Sequence, residues 1–221
     1  MKKIVLYFQN EINGTHGRAL RGAMATLASD KHITQILHHQ HGVSPIIYTK
    51  SVKNVMELYL THDDGLLENE VLNIILHPKF NLNGIKLIKS TIHLLQKDIF
   101  ETNKTNSLIK YSLRTPVIYA AVSKDIKYVD KLRFNDPTKL ESFAVEKIRE
   151  SINQRLRELG KPTHDLSDMK ITFEDIKLFA CKFKQNELYP AFFSRYLYSN
   201  YQLPLFLGYK IGVGYGQVRC I

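Results

Sequence analysis

Apolar positions along this chain recur with two periods, and each change of period marks a change of element. Residues 2–9, KKIVLYFQ, are β-rich and predict a first strand. Gly14-Thr-His-Gly17 reads as a turn. Residues 18–28 then place Ala19, Leu20, Ala23, Met24 and Leu27 at helical spacing, with Arg18 and Arg21 near one another on another face. Asp30 is positioned to cap a second, short helix carrying Ile33, Ile36 and Leu37, which Gly42 stops. Residues 45–49 and 55–60 are β-like. Asp63-Asp-Gly65 predicts a turn into a helix over 66–76, and His77-Pro78 ends that helix because proline cannot continue it. Residues 85–95 return to strand character.

The order so far is strand, helix, strand, strand, helix, strand, which is the ferredoxin-like order shared by RNA-recognition modules built on a four-stranded sheet. Residues 97–107 are polar and read as a linker or hairpin tip, and a second unit starts at 108–113. Asn135-Asp-Pro137 reads as a turn, followed by Thr138-Lys-Leu-Glu141 as a capping box. Leu140, Phe143, Ala144, Ile148, Ile152, Leu156 and Leu159 define one apolar helix face, closed by Gly160 and Pro162. Residues 169–173, 176–183, 189–198 and 205–218 are strand-like. The pattern predicts two tandem α+β domains of similar size, over 1–105 and 106–221, repeating element order but not sequence.

The 44% hydrophobic content of the 221 residues is ample for a buried core. Charge changes the picture more: 31 Lys and Arg against 21 Asp and Glu leave a formal net charge of +10. Such an excess points to a polyanionic partner, because each cation that neutralises a phosphate releases a counterion; a basic surface that serves solubility alone is the plainer alternative. Cys181 and Cys220 have neither metal-ligand spacing nor the look of a disulfide framework, as suits a reducing cytoplasm. The apolar run after Met1-Lys-Lys is too short for a signal peptide, and no stretch approaches the roughly 20 apolar residues of a membrane span. The expectation is a cytoplasmic protein with no membrane partner.

Candidate chemistry concentrates at His38, His39 and His41, an imidazole cluster just after the short helix. A ribonuclease works without metal by aiming a ribose 2′-hydroxyl at the adjacent phosphate: one group takes the hydroxyl proton, another protonates the leaving oxygen, and a cation offsets charge. Histidine suits either proton role, and the turn at Gly42 can fold Tyr48 back towards His41, with Lys31 in reach of the same pocket. A zinc site is the alternative, although no Cys or carboxylate lies nearby in sequence. His16, His32, His62, His77, His93 and His164 read as ordinary surface or core residues. The terminal loop with Gly208, Gly212, Gly214 and Gly216 opens no helix, so it is neither a P-loop nor a Rossmann fingerprint. It is either an RNA cradle flanked by Lys210 and Arg219 or a tight β-hairpin with glycines at positive φ. Tyr209 and Tyr215 either stack on bases or pack in the core. Arg18, Arg21, Lys50 and Lys53 form a phosphate track or a solvated charged face. The charges of the long helix, among them Lys147, Arg149 and Arg155, interleave with Glu146, Glu150 and Glu158 as a salt-bridged face.

Three places in the chain carry a family resemblance. One is Leu20-Arg-Gly22 in the first helix, followed by Leu37-His-His-Gln-His41 and Tyr48. The second is Tyr111-Ser-Leu-Arg-Thr-Pro116, followed by the Lys-Leu-Glu helix. The third is Asn200-Tyr-Gln-Leu-Pro204 leading into the glycine loop. In these the chain resembles the CRISPR-associated repeat-processing endoribonucleases of the RAMP superfamily, and within them the short subtype of type I-B systems. It departs from them in His39-Gln40-His41, where the family has His-Asn-His, and in Tyr209-Lys-Ile-Gly-Val213, which has a lysine but lacks the family's arginine.

The resemblance implies two ferredoxin-like domains and cofactor-free, metal-independent cleavage of CRISPR repeat RNA in a precursor transcript, leaving 2′,3′-cyclic phosphate ends. It maps proton transfer to His41 with His39 in reserve, orientation to Tyr48 and charge stabilisation to Lys31. RNA contacts fall to Arg18, Arg21, Lys50, Lys53, Lys210, Gly212, Gly214, Gly216 and Arg219. Other CRISPR effector subunits and a second copy of the chain are the implied protein partners. Two rival readings stand beside it: a catalytically silent RNA-binding subunit of an effector complex, and a metal-dependent hydrolase built on the histidine cluster.

Overall fold

The computed structural model describes residues 1–12, 17–28, 31–37, 44–61, 65–95, 99–119, 137–184, 187–211 and 215–221. The chain divides into two compact units, one over Met1–Asp98 and one over Ile99–Ile211 with Tyr215–Ile221.

In the first unit the alternation of Lys2–Phe8 (β1) puts Ile4, Leu6 and Phe8 on one face, all fully buried. Helices Gly17–Leu27 (α1), Lys31–Leu37 (α2) and Gly65–Leu76 (α3) cover that face with Leu20 and Met24, Ile33 and Leu37, and Leu67, Val71, Ile74 and Ile75. Strands Ile46–Tyr48 (β2), Val55–Leu60 (β3), Asn81–Leu82 (β4) and Ile85–Leu94 (β5) complete one antiparallel sheet in the order β2-β3-β1-β5-β4. The first four strands of that order reproduce the ferredoxin-like sheet. The extra β4 is an unforeseen hairpin onto β5. Asn83 (φ 53°) and Gly84 (φ 82°) turn it, an Asn-Gly pair that adopts left-handed backbone at little cost. The turns expected at Gly14 to His16 and at Asp63-Asp64, the Asp30 cap and the Gly42 stop lie outside the described residues, as do Asn135 and Asp136.

The second unit contains Lys104–Leu113 (β6), Val117–Ile118 (β7), Pro137–Glu158 (α4), Ile171–Glu174 (β8), Lys177–Lys184 (β9), Glu187–Phe193 (β10), Tyr196–Tyr201 (β11) and Val218–Cys220 (β12). Its four-stranded sheet runs β12-β6-β11-β8, the ferredoxin-like order again, and a second sheet runs β7-β10-β9. Ala144, Ile148, Ile152 and Leu156 recur every four residues along α4 and are buried against Tyr111, Leu113, Phe173, Leu197 and Tyr201 of the four-stranded sheet. The helix ends in a Schellman motif: Gly160 at φ 67° donates to the Arg157 carbonyl and Lys161 N–H to that of Leu156.

Four local expectations are corrected. The helix starts at Pro137, whose fixed φ suits a first helical position, so Thr138 stands inside the first turn and does not cap it. Strand β6 begins at Lys104, within the stretch expected to be a linker. The single run expected over 189–198 is two strands, broken at buried Ser194, whose hydroxyl bonds the Tyr196 carbonyl at 2.6 Å. Of the residues 205–218 expected to be strand-like, Val218 opens β12, and the described residues before it make isolated bridges, Ile118 to Tyr209 and Phe206 to Gln217. Where the ferredoxin plan has its second helix, this unit carries the glycine-rich segment. Among the described residues no helix is long and apolar enough to cross a membrane.

Candidate functional site

Tyr48 closes β2 and is 1% exposed, inside the core of the first unit. Its position depends on Gly17 at the start of α1. A Cβ on Gly17 would lie 2.5 Å from the Tyr48 Cβ and 3.0 Å from its carbonyl oxygen, so only glycine lets the helix end close onto this strand. The Tyr48 hydroxyl is buried with no hydrogen-bond partner among the described residues. Burial holds it protonated far above the usual phenol range, and the positive charge of Arg21 on α1 opposes that shift in part. The structure therefore brings Tyr48 and Arg21 together. Arg18, on the same helix, is exposed. Lys50 and Lys53 follow Tyr48 in the connection to β3, where Lys53 takes positive φ (54°) and its carbonyl accepts the Ile12 N–H at 2.8 Å.

Lys31 is the first residue of α2. The histidines His38, His39 and His41 lie outside the described residues, but both attachments of their segment are fixed. On one side Leu37 is buried in the core. On the other, the Ser44 hydroxyl donates to the Ile46 carbonyl at 2.6 Å, and the Ser44 carbonyl accepts from the Thr61 hydroxyl at 2.9 Å. The segment is thus strung between the end of α2 and the start of the strand that carries Tyr48. Among the described residues no three His, Cys, Asp or Glu side chains converge as metal ligands.

In the second unit the glycine loop is anchored by α4. Gly208, at φ 78°, donates to the Ser151 hydroxyl, and its carbonyl accepts from Arg155 at 3.2 Å; a Cβ there would stand 2.3 Å from the Ile118 carbonyl oxygen. Gly216, at φ 69°, donates to the Pro116 carbonyl at 2.8 Å, and a Cβ there would meet the Leu207 carbonyl oxygen at 1.7 Å. Both N–H groups are thus engaged within the fold. Gly212 and Gly214 lie outside the described residues. Tyr209 and Tyr215 pack against a small core of Ile118, Cys181, Tyr189 and Ala191, and the Tyr209 hydroxyl donates to Gln154. Lys210 holds its ammonium 5.0 Å from the Tyr189 ring centre, on the three-stranded sheet, whereas exposed Arg219 stands opposite Ser112 on the four-stranded one. The two cations expected to flank one cradle stand beside different sheets. Ser151 and Gln154 carry no signal in the sequence, and Arg155 reads there only as part of a salt-bridged face, because nothing local to the helix signals a loop more than fifty residues away.

No family model and no curated protein matches this sequence. Solved structures do match it. A crystal structure of Cas6b superposes with a TM-score of 0.73 at 18% identity, covering 100% of both chains. The chain has the Cas6 fold. A second crystal structure, of the CRISPR RNA processing endoribonuclease Cas6b, gives 0.59 at 17% identity over 100% of both chains. A Cas6-related protein from Pyrococcus furiosus gives 0.60 at 14%, covering 100% of this chain and 98% of that one. An RAMP protein binding different RNA substrates gives 0.61 at 12% over 100% of both chains. Within this Cas6 fold the first unit holds Tyr48, Arg21 and the two attachments of the histidine segment, and the second holds the glycine loop.

Proposed function

We propose that this chain is an endoribonuclease that cuts CRISPR repeat RNA in precursor transcripts to give mature guides. The observation that carries the reading is likeness over the full length of the chain to structures of Cas6b, one of them described as a CRISPR RNA processing endoribonuclease. The net charge of +10 supports a polyanionic substrate.

In this reading the ribose 2′-oxygen attacks the adjacent phosphorus as its proton leaves. The bond to the 5′-oxygen breaks, that oxygen takes a proton, and the upstream product ends in a 2′,3′-cyclic phosphate. His41 moves a proton, with His39 in reserve, and Lys31 offsets the charge on the crowded phosphorus. Tyr48 takes the orienting role in this reading; it is buried in the core of the first unit, on the strand that follows the histidine segment in the chain. Arg18, Arg21, Lys50 and Lys53 supply phosphate contacts on the first unit, and Lys210 and Arg219 on the second.

The test is incubation of the purified protein with its host's repeat RNA in EDTA, beside His41→Ala, with the product ends mapped. The expected result is cleavage at one position, a cyclic phosphate, and a loss of about a hundredfold or more in the variant with binding retained. Undiminished cleavage by His41→Ala removes that residue from the mechanism. Salt-sensitive binding without cleavage replaces the enzyme by a silent RNA-binding subunit, and cleavage that EDTA abolishes replaces it by a metal-dependent hydrolase.

A further inference from the structure

The four-stranded sheet of the second unit has one face on α4 and one without a helix among the described residues. Strand alternation sends Leu197, Ser199 and Tyr201 of β11 into the core and leaves Tyr196 and Tyr198 half-exposed on the other face. Their registers put Tyr196 beside Ser112 and Glu174, and Tyr198 beside Lys110 and Thr172. The Lys110 ammonium lies 4.1 Å from the Tyr196 ring centre and 5.3 Å from that of Tyr198, and the Arg195 guanidinium lies 5.2 Å from the Tyr196 ring. Glu174 fixes this arrangement, accepting the Tyr198 hydroxyl hydrogen bond and pairing with Lys110 at 3.7 Å. Arg219 adds a further cation in the same row through its partner Ser112. Among the described residues Arg195 and Arg219 form no ion pair, whereas Lys110 pairs with Glu174.

We propose that this face is a stacking platform for single-stranded RNA, separate from the cutting site on the first unit. It rests on the RNA-processing reading above and adds to it where an unpaired stretch of the substrate is held. Packing gives no reason for the two tyrosines, because the core lies on the opposite face. Two rings two residues apart on one strand stand about 7 Å apart, side by side on the half-exposed face. Unneutralised arginines beside them meet the backbone, which is the combination that sequence-tolerant single-strand binding uses. Arginine and lysine over a tyrosine ring also keep that ring in place through cation–π attraction.

The experiment measures fluorescence anisotropy of the full chain with two probes, a labelled 12-nucleotide oligouridylate and the host's repeat RNA, over a series of salt concentrations. Three variants are compared: Tyr196→Leu with Tyr198→Leu, Tyr198→Phe alone, and exposed Arg195→Gln. The double leucine variant is expected to weaken oligouridylate binding tenfold or more, the size of lost base stacking, while Tyr198→Phe keeps it because the ring remains. Arg195→Gln is expected to lower the slope of log K against log salt by about 0.7, one phosphate contact on a single strand. That slope does not move for a residue that serves only to hold the sheet. Thermal melts check folding, and Arg195→Gln keeps the test decisive if the leucine variant unfolds. Wild-type affinity and slope in the variants, with the repeat RNA still bound, overturn the platform and leave the proposed function standing. A wild type that binds neither probe overturns both.

Discussion

Replacing Tyr48 with phenylalanine removes one oxygen from a fully buried position and leaves the ring that fills the core. Among the described residues the hydroxyl has no partner, so the native state bears a desolvation cost that the unfolded chain avoids by bonding to water. That cost is about 1–3 kcal/mol for a hydroxyl by mutational data, and Tyr48→Phe is expected to stabilise the first unit by about 1–2 kcal/mol on that scale. For a unit of this size the melting temperature rises by about 5 °C. The alkaline limb provides an independent check. Burial raises the folded-state pKa of Tyr48 above its unfolded value near 10. A raised pKa contributes stability that is fully present below pH 10 and is lost as pH climbs from there towards the folded value, by at most about 1.4 kcal/mol per unit for one proton. Tyr59 is also raised, by burial and by Glu57, but both proteins contain it and it cancels in their difference. The phenylalanine variant should therefore lose less stability between pH 10 and 11 in urea titrations. A variant that melts lower by 1 kcal/mol or more, with an alkaline limb parallel to wild type, would show that the hydroxyl is satisfied in solution and refute the reasoning.

Two further outcomes test the second unit and the glycines. Gly216→Ala is expected to cost more than about 3 kcal/mol, because its Cβ would overlap the Leu207 carbonyl and its backbone is left-handed. By contrast Gly22→Ala, where a Cβ meets nothing within 4 Å inside α1, should gain about 0.5–1 kcal/mol; urea unfolding of the pair reads both signs, and equal effects would contradict the geometry. Tyr111→Phe is expected to destabilise the second unit by about 1–3 kcal/mol, since its hydroxyl accepts the buried Leu203 N–H at 3.0 Å and faces the Tyr201 carbonyl. A thermal melt within 1 °C of wild type would show that water takes its place.

Much of the fold is legible in the chain because hydrophobic period reports local burial. Strand β1, helices α1 and α3, and the apolar face of α4 follow from which positions repeat every second residue or every three to four. The order of those elements narrows the first unit to the ferredoxin-like plan, and the net charge points to a polyanion before any contact is known. Period is silent where a residue's role depends on a distant partner. Gly17 is small because Tyr48 lies against it, and Gly208 because the Ile118 carbonyl does. Lys210 and Arg219, nine positions apart, stand beside different sheets, because the first lies against Tyr189 of β10 and the second pairs with Ser112 of β6. The tyrosines of β11 were hidden inside a run read as one strand, since a buried serine breaks it with no turn residue to mark the break. Sequence determines which faces are apolar, because burial of a face is paid locally by the residues that line it; only the tertiary structure decides what each face meets, because pairing between strands far apart in the chain sets register, and register sets which side chains stand together.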